Sequence, residues 1–187
     1  MFSVHRCGRS PASRTVLVRA AVCALMSIVI AGTQLSGPVA QSAGATELTP
    51  TVTPTSWAAL NRAIARIPNY RPGVATWTVT ARFGHWGTTD VSDGHVYISP
   101  TVPASRLYSV VTHEYAHALA SWNWGRNWQA ADAAMSRWFG GGTAIAPERA
   151  ADCMARAQGA TWTSYTACAN VRWRQGARTL LAGGRLP

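Results

Sequence analysis

Residues 103–121 read Pro-Ala-Ser-Arg-Leu-Tyr-Ser-Val-Val-Thr-His-Glu-Tyr-Ala-His-Ala-Leu-Ala-Ser, and their periodicity decides the architecture. Leu107, Val111, Tyr115 and Leu119 recur every fourth residue, the period of a helix that buries an apolar stripe. Pro103 suits the start of such a helix, where its missing N–H leaves no bond unmade. Val110, His113, Glu114 and His117 fall in a second sector. The spacing therefore predicts a helix packed on one side and carrying chemistry on another. His113 and His117 lie one turn apart on the same face, so both imidazoles can reach a single cation. Glu114 is then placed beside a water in that cation's open position, the arrangement a zinc-dependent hydrolytic site needs. The chain has only 5 histidines in 187 residues, which makes a chance coincidence of this kind rare.

Outward from this helix the pattern is mixed. Trp57, Leu60, Ile64 and Ile67 predict a first helix capped by Thr55 or Ser56 and ended by Pro68 and Pro72-Gly73. Residues 76–83 alternate with period two, Trp77, Val79, Ala81 and Phe83 on one face, and predict the clearest strand. Asp93-Gly94 is a turn signal, after which His95–Ser99 predicts a second strand. Residues 127–139 predict a helix broken by Gly140-Gly141-Gly142. Pro147 is expected to open another, ending near Gly159, and the C-terminal segment is expected to be helical up to Gly183. Trp57, Trp77, Trp128 and Trp138 sit on predicted buried faces, whereas Trp122 and Trp124 are the expected exposed pair. The class is α+β: a small, mainly antiparallel sheet packed on the histidine helix and several further helices.

The first 45 residues read as an export signal: Arg6, Arg9, Arg14 and Arg19 precede a nearly uninterrupted apolar run over 20–31 and a small-residue cleavage region. An uncleaved signal anchor is the alternative. No cysteine follows the apolar run to carry a lipid, and no later stretch is apolar enough to span a membrane. Residues 46–55 are expected to form a loose Thr/Pro-rich arm and residues 56–187 a single domain. The 142 residues from 46 onward hold 13 arginines, no lysine and 7 acidic residues, a net charge of +6. These arginines are scattered, and no nucleic-acid motif accompanies them, so no nucleic-acid partner is expected. No residue pattern specifies an oligomer. An exported chain would keep only Cys153 and Cys168, which an oxidising compartment would pair into a disulfide.

Two histidines do not complete a catalytic metal site, which takes three protein ligands and one open position. No histidine follows His117; Asn123 stands where a third histidine six residues on would be, and Ala120 replaces the accompanying glycine. Ala146 follows Gly142-Thr143 where an aspartate ligand would be required. Only Asp132, Glu148 and Asp152 remain as acidic candidates after the motif. Glu148 and Asp152 are four apart, in the segment Glu148-Arg149-Ala150-Ala151-Asp152-Cys153.

In these two motifs the chain resembles the gluzincin-type zinc metallopeptidases, whose second motif is Glu-x-x-x-Asp or, in several small families, Glu-x-x-Ala-Asp. The likeness covers about residues 95–155, and the 30-residue gap from His117 to Glu148 is longer than in thermolysin-like members. It implies a minimal zincin-like domain, one Zn2+ held by His113, His117 and Glu148, and Asp152 behind His113, fixing its tautomer. It further implies peptide hydrolysis with Glu114 as general base, on a protein substrate or a cell-wall peptide. Tyr165 is the favoured donor to the developing oxyanion, since the Cys153–Cys168 bridge would hold its segment near the site; Tyr108, His85 and His95 compete. By the same analogy, His95–Ser99 would be an edge strand that binds extended substrate. The rival expectations are a catalytically weak zinc-containing module that binds the cell envelope and an amide hydrolase acting on peptidoglycan peptides.

Overall fold

The computed structural model describes residues 55–187; the expected signal segment and all but the last residue of the arm lie outside them. Thr55 itself is not loose: its N–H donates to the Pro100 carbonyl (2.8 Å) and its hydroxyl to the Val102 carbonyl (3.0 Å). Ser56 is the cap of α1 (Trp57–Ala65), accepting from the Ala59 N–H, and Leu60 and Ala63 face inward. Trp57, in the first turn of α1, is 51% exposed, against expectation. The remaining helices are α2 (Ala104–Asn123), α3 (Trp128–Phe139), α4 (Gly142–Ala157) and α5 (Val171–Leu181).

The fold is α+β, as the pattern predicts, with the sheet built differently. β1 (Thr76–Val79), β2 (Gly87–Asp90) and β3 (His95–Ile98) lie in the order β1-β3-β2. β2 and β3 form an antiparallel hairpin, Asp90 opposite His95, closed by Gly94 at φ +82°, whose N–H donates to the Asp90 carbonyl. β1 pairs with β3 in parallel, so the sheet is mixed and not mainly antiparallel. The cause is the intervening segment 80–86: it carries the chain past the position of β3 to the far edge, and β3 then returns in the direction of β1. β3 is paired on both sides and cannot add a peptide strand, which corrects the edge-strand expectation for His95–Ser99.

α2 is also more deeply set than its stripe suggests. Val110, Val111, Tyr115, Ala116, Ala118 and Leu119 are all buried, and the chemical sector is buried with them. The helix packs on β2 and β3 on one side and on α1, α4 and α5 on the others. Tyr115 accepts the Arg71 N–H (2.9 Å), and Asn123 donates to the Leu180 carbonyl (2.8 Å), so the segment after α1 and the end of α5 are fastened to α2. α4 begins at Gly142, a turn earlier than Pro147 suggests: the positive-φ run Gly140, Gly141 and Gly142 ends at its first residue, and a proline near a helix start removes only one backbone bond. Residues 160–170 are not helical; they cross α4 as an irregular segment tied down by the Cys153–Cys168 disulfide, Cα atoms 5.2 Å apart.

Candidate metal centre

Helical spacing brings His113 and His117 together on α2, and packing of α4 across α2 brings Glu148 to them. The Nε2 atoms of His113 and His117 are 3.2 Å apart. Glu148 Oε2 lies 3.1 Å from the first and 3.5 Å from the second. A metal with bonds of about 2.1 Å and tetrahedral angles separates its donors by about 3.4 Å. The three atoms therefore have the spacing of one face of a coordination tetrahedron. All three residues are buried, and together they form a group able to hold a metal ion. Two imidazoles and one carboxylate are a donor set used by zinc and by non-haem iron.

The charges call for a cation. Burial disfavours a proton on His113, but hydrogen bonds to Asp152 and Glu148 overcome this and raise its pKa to about 10. Burial alone would raise the Glu148 carboxyl too; the neighbouring His117 and His113 outweigh it and hold the group well below the usual carboxylate range. In the absence of a metal ion, a proton on His113 would answer the same negative charge that an ion would neutralise.

Asp152, one turn after Glu148 on α4, is completely buried and reaches His113 from behind: His113 Nδ1 donates to Oδ1 at 2.9 Å. That bond leaves Nε2 to face Glu148 and His117. The other carboxylate oxygen accepts the N–H groups of Tyr165 (2.6 Å) and Thr166 (2.8 Å). The disulfide closes the loop that carries both donors. Sequence, bridge and carboxylate thus converge on one point.

Glu114 is only 1% exposed and lies against β2. The Thr89 hydroxyl donates to its Oε2 at 2.7 Å. Oε1 is buried with no hydrogen-bond partner among the described residues. Burial raises the Glu114 carboxyl, opposed by His113, His117 and the Thr89 bond. A Cβ on Gly87 would fall 2.5 Å from Oε1, so the absence of a side chain there makes room for the carboxylate. Thr89 and Gly87 escape the sequence reading because Gly-Thr-Thr-Asp lacks a strand-like alternation; only the Asp93-Gly94 turn hints at a strand before it.

The Tyr165 ring stacks beside His113, with centroids 6.2 Å apart. Two of its rivals are placed elsewhere. Tyr108 donates to the Gln158 carbonyl (2.7 Å), and His95 Nε2 bonds Thr78 on the sheet (2.7 Å) while stacking on Tyr97. Trp86, next to Gly87, packs on Trp162 with centroids 5.5 Å apart, joining the strand over Glu114 to the loop that carries Tyr165. Trp122 is 46% exposed beneath the Arg126 guanidinium, while its expected companion Trp124 packs on the core.

A cavity of about 330 Å³ opens beside the cluster, with His117, Glu148 and Tyr165 in its wall. No known family, no curated protein and no solved structure matches this chain. Among the described residues, no helix is long and apolar enough to cross a membrane.

Proposed function

We propose that the protein is an exported zinc-dependent peptidase of gluzincin type, with His113, His117 and Glu148 as the metal ligands. One observation carries the reading: three donor atoms 3.1–3.5 Å apart beside a buried glutamate whose Oε1 has no partner among the described residues. A site for metal storage or structure needs the triangle but not the glutamate. When bound there, zinc supplies Lewis acidity, lowering the pKa of a water toward ~7 and polarising a carbonyl.

The chain's own residues then divide the work. Glu114 takes the proton of the attacking water and passes it to the leaving amine; its raised pKa suits both halves of that transfer. Thr89 and Gly87 hold its carboxylate in place. Asp152 orients His113 and keeps its Nδ1 protonated. Tyr165 donates to the oxygen that gains negative charge, and the Cys153–Cys168 loop positions it. Metal analysis of purified protein should return about one zinc per chain, and Glu114→Gln should keep that zinc while abolishing peptide hydrolysis. A folded protein that takes up no zinc, or a Glu114→Gln variant as active as the parent, would refute the proposal.

A further inference from the structure

The described carboxylates leave one group of arginines without a counter-ion. Glu114, Glu148 and Asp152 belong to the metal centre, Asp90 and Asp93 bond within the β2–β3 hairpin, and Asp132 lies in the wall of the cavity beside His117. None of them pairs with Arg156, in the last turn of α4, or with Arg174 and Arg178, one turn apart on α5. These three side chains line a separate cavity of about 180 Å³, with Cys153 and Cys168 of the disulfide in its wall and no acidic residue among its described lining. Three like charges gathered round one hollow repel one another, and an anion seated there removes that cost.

Two of the three arginines are already held in place. Nη1 of Arg174 donates to the carbonyls of Cys168 (3.3 Å) and Ala169, and Nη1 of Arg156 to those of Ala160 and Thr161 (3.3 Å each). The entropy of ordering these long side chains is therefore lost on folding and need not be lost again on binding. An adjoining open hollow of about 410 Å³ shares Arg156 and Ala167 with the first and adds Thr161, Thr163 and Ser164.

We propose that the arginine cavity is a binding site for a phosphate ester of a polyol. The phosphate lies among Arg156, Arg174 and Arg178, and the hydroxylated remainder follows Thr161, Thr163 and Ser164. The site does not depend on the metal centre or on the peptidase reading. A planar, singly charged carboxylate is satisfied by one guanidinium fork. A phosphate monoester carries about −1.5 to −2 charges and three terminal oxygens, so it can take donors from three sides. The cavity is below the range of whole small-ligand pockets (~300–1,000 Å³), which suits one ionic group whose remainder lies outside.

The test uses the full-length protein, with glycerol 3-phosphate, inorganic phosphate and acetate titrated at constant ionic strength by calorimetry. Glycerol 3-phosphate should bind saturably and at least ~10-fold more tightly than acetate, because phosphate meets three guanidiniums and acetate one. In NMR the Nε–Hε signals of Arg156, Arg174 and Arg178 should shift with the same titration curve. Arg174→Gln/Arg178→Gln should lower the affinity at least ~10-fold, whereas Arg62→Gln/Arg82→Gln, which removes the same charge outside the cavity, should leave it within ~2-fold. Equal binding of glycerol 3-phosphate and acetate to the wild-type protein, or arginine signals that do not move, overturns the site whether or not any variant folds. Equal loss in the two double variants also overturns it, since the attraction would then belong to the net charge. Inorganic phosphate binding as tightly as glycerol 3-phosphate overturns the polyol part and leaves the phosphate part standing.

Discussion

Gly87→Ala tests the most specific feature of the site, the fit of β2 over Glu114. The backbone at Gly87 is ordinary extended strand, so alanine brings no dihedral strain of its own. Its Cβ, however, would stand 2.5, 2.6 and 2.7 Å from Oε1, Cγ and Cδ of Glu114. Ordinary contact begins near 3.4 Å, so the carboxylate must retreat by about 0.9 Å. Glu114 cannot do this freely, because it is buried and its other oxygen is held by Thr89 at 2.7 Å. Overpacking at such a place costs ~1–3 kcal/mol, or a fall in Tm of roughly 3–10 °C for a domain of this size. Displacing a catalytic base by about 1 Å costs on the order of 10²-fold in rate. The expected outcome is a folded, zinc-loaded protein with a lowered Tm in calorimetry and ~10²-fold lower kcat/KM. Thr89→Val provides the companion variant: it removes the hydrogen bond that favours ionised Glu114, so the acidic limb of the pH–rate profile should move to higher pH. A Gly87→Ala protein with parental Tm and parental activity would show that Glu114 does not lie where the argument needs it.

Three further outcomes follow from the same geometry. Asp152→Asn should keep the fold but weaken zinc binding ~10–100-fold in competition with a chelating dye, since the Nδ1–H of His113 loses a charged acceptor. The metal-free protein should lose thermal stability as pH rises from about 6.5 to about 10: His113 is raised in the folded state, so its contribution is complete below its unfolded pKa and disappears as the folded group deprotonates. Zinc-loaded protein should lack that fall over the same range, and parallel Tm–pH curves would refute the assignment. Reducing Cys153–Cys168, a bridge between residues 15 apart, should cost ~3 kcal/mol in the chain-entropy model and loosen Tyr165 and Thr166 from Asp152, seen as faster amide exchange at those two positions.

Much of the metal cluster is legible in the chain because its components are local. His113, Glu114 and His117 are placed by the turn of one helix, and Glu148 and Asp152 by the turn of another. Cysteine counting suffices for the disulfide. The missed parts come from pairing and packing between elements, not from a pattern within one. β2 has Gly-Thr-Thr-Asp, a poor strand by propensity, and becomes one only because β3 offers an antiparallel partner and α2 a surface. β3 changes from expected edge to centre for the same reason.

Periodicity and capping act over four or five residues, so the sequence by itself determined the helices, the α+β class and the two halves of the candidate metal centre. Whether those halves meet was decided by the packing of α4 across α2, which sets His113, His117 and Glu148 within 3.5 Å of one another. Tertiary structure alone also decided that Thr89 and Gly87 enclose Glu114, that Tyr165 stands beside His113, and that Asp132 faces the cavity. Each depends on side chains from separate elements filling one volume, a constraint that no local pattern of residues encodes.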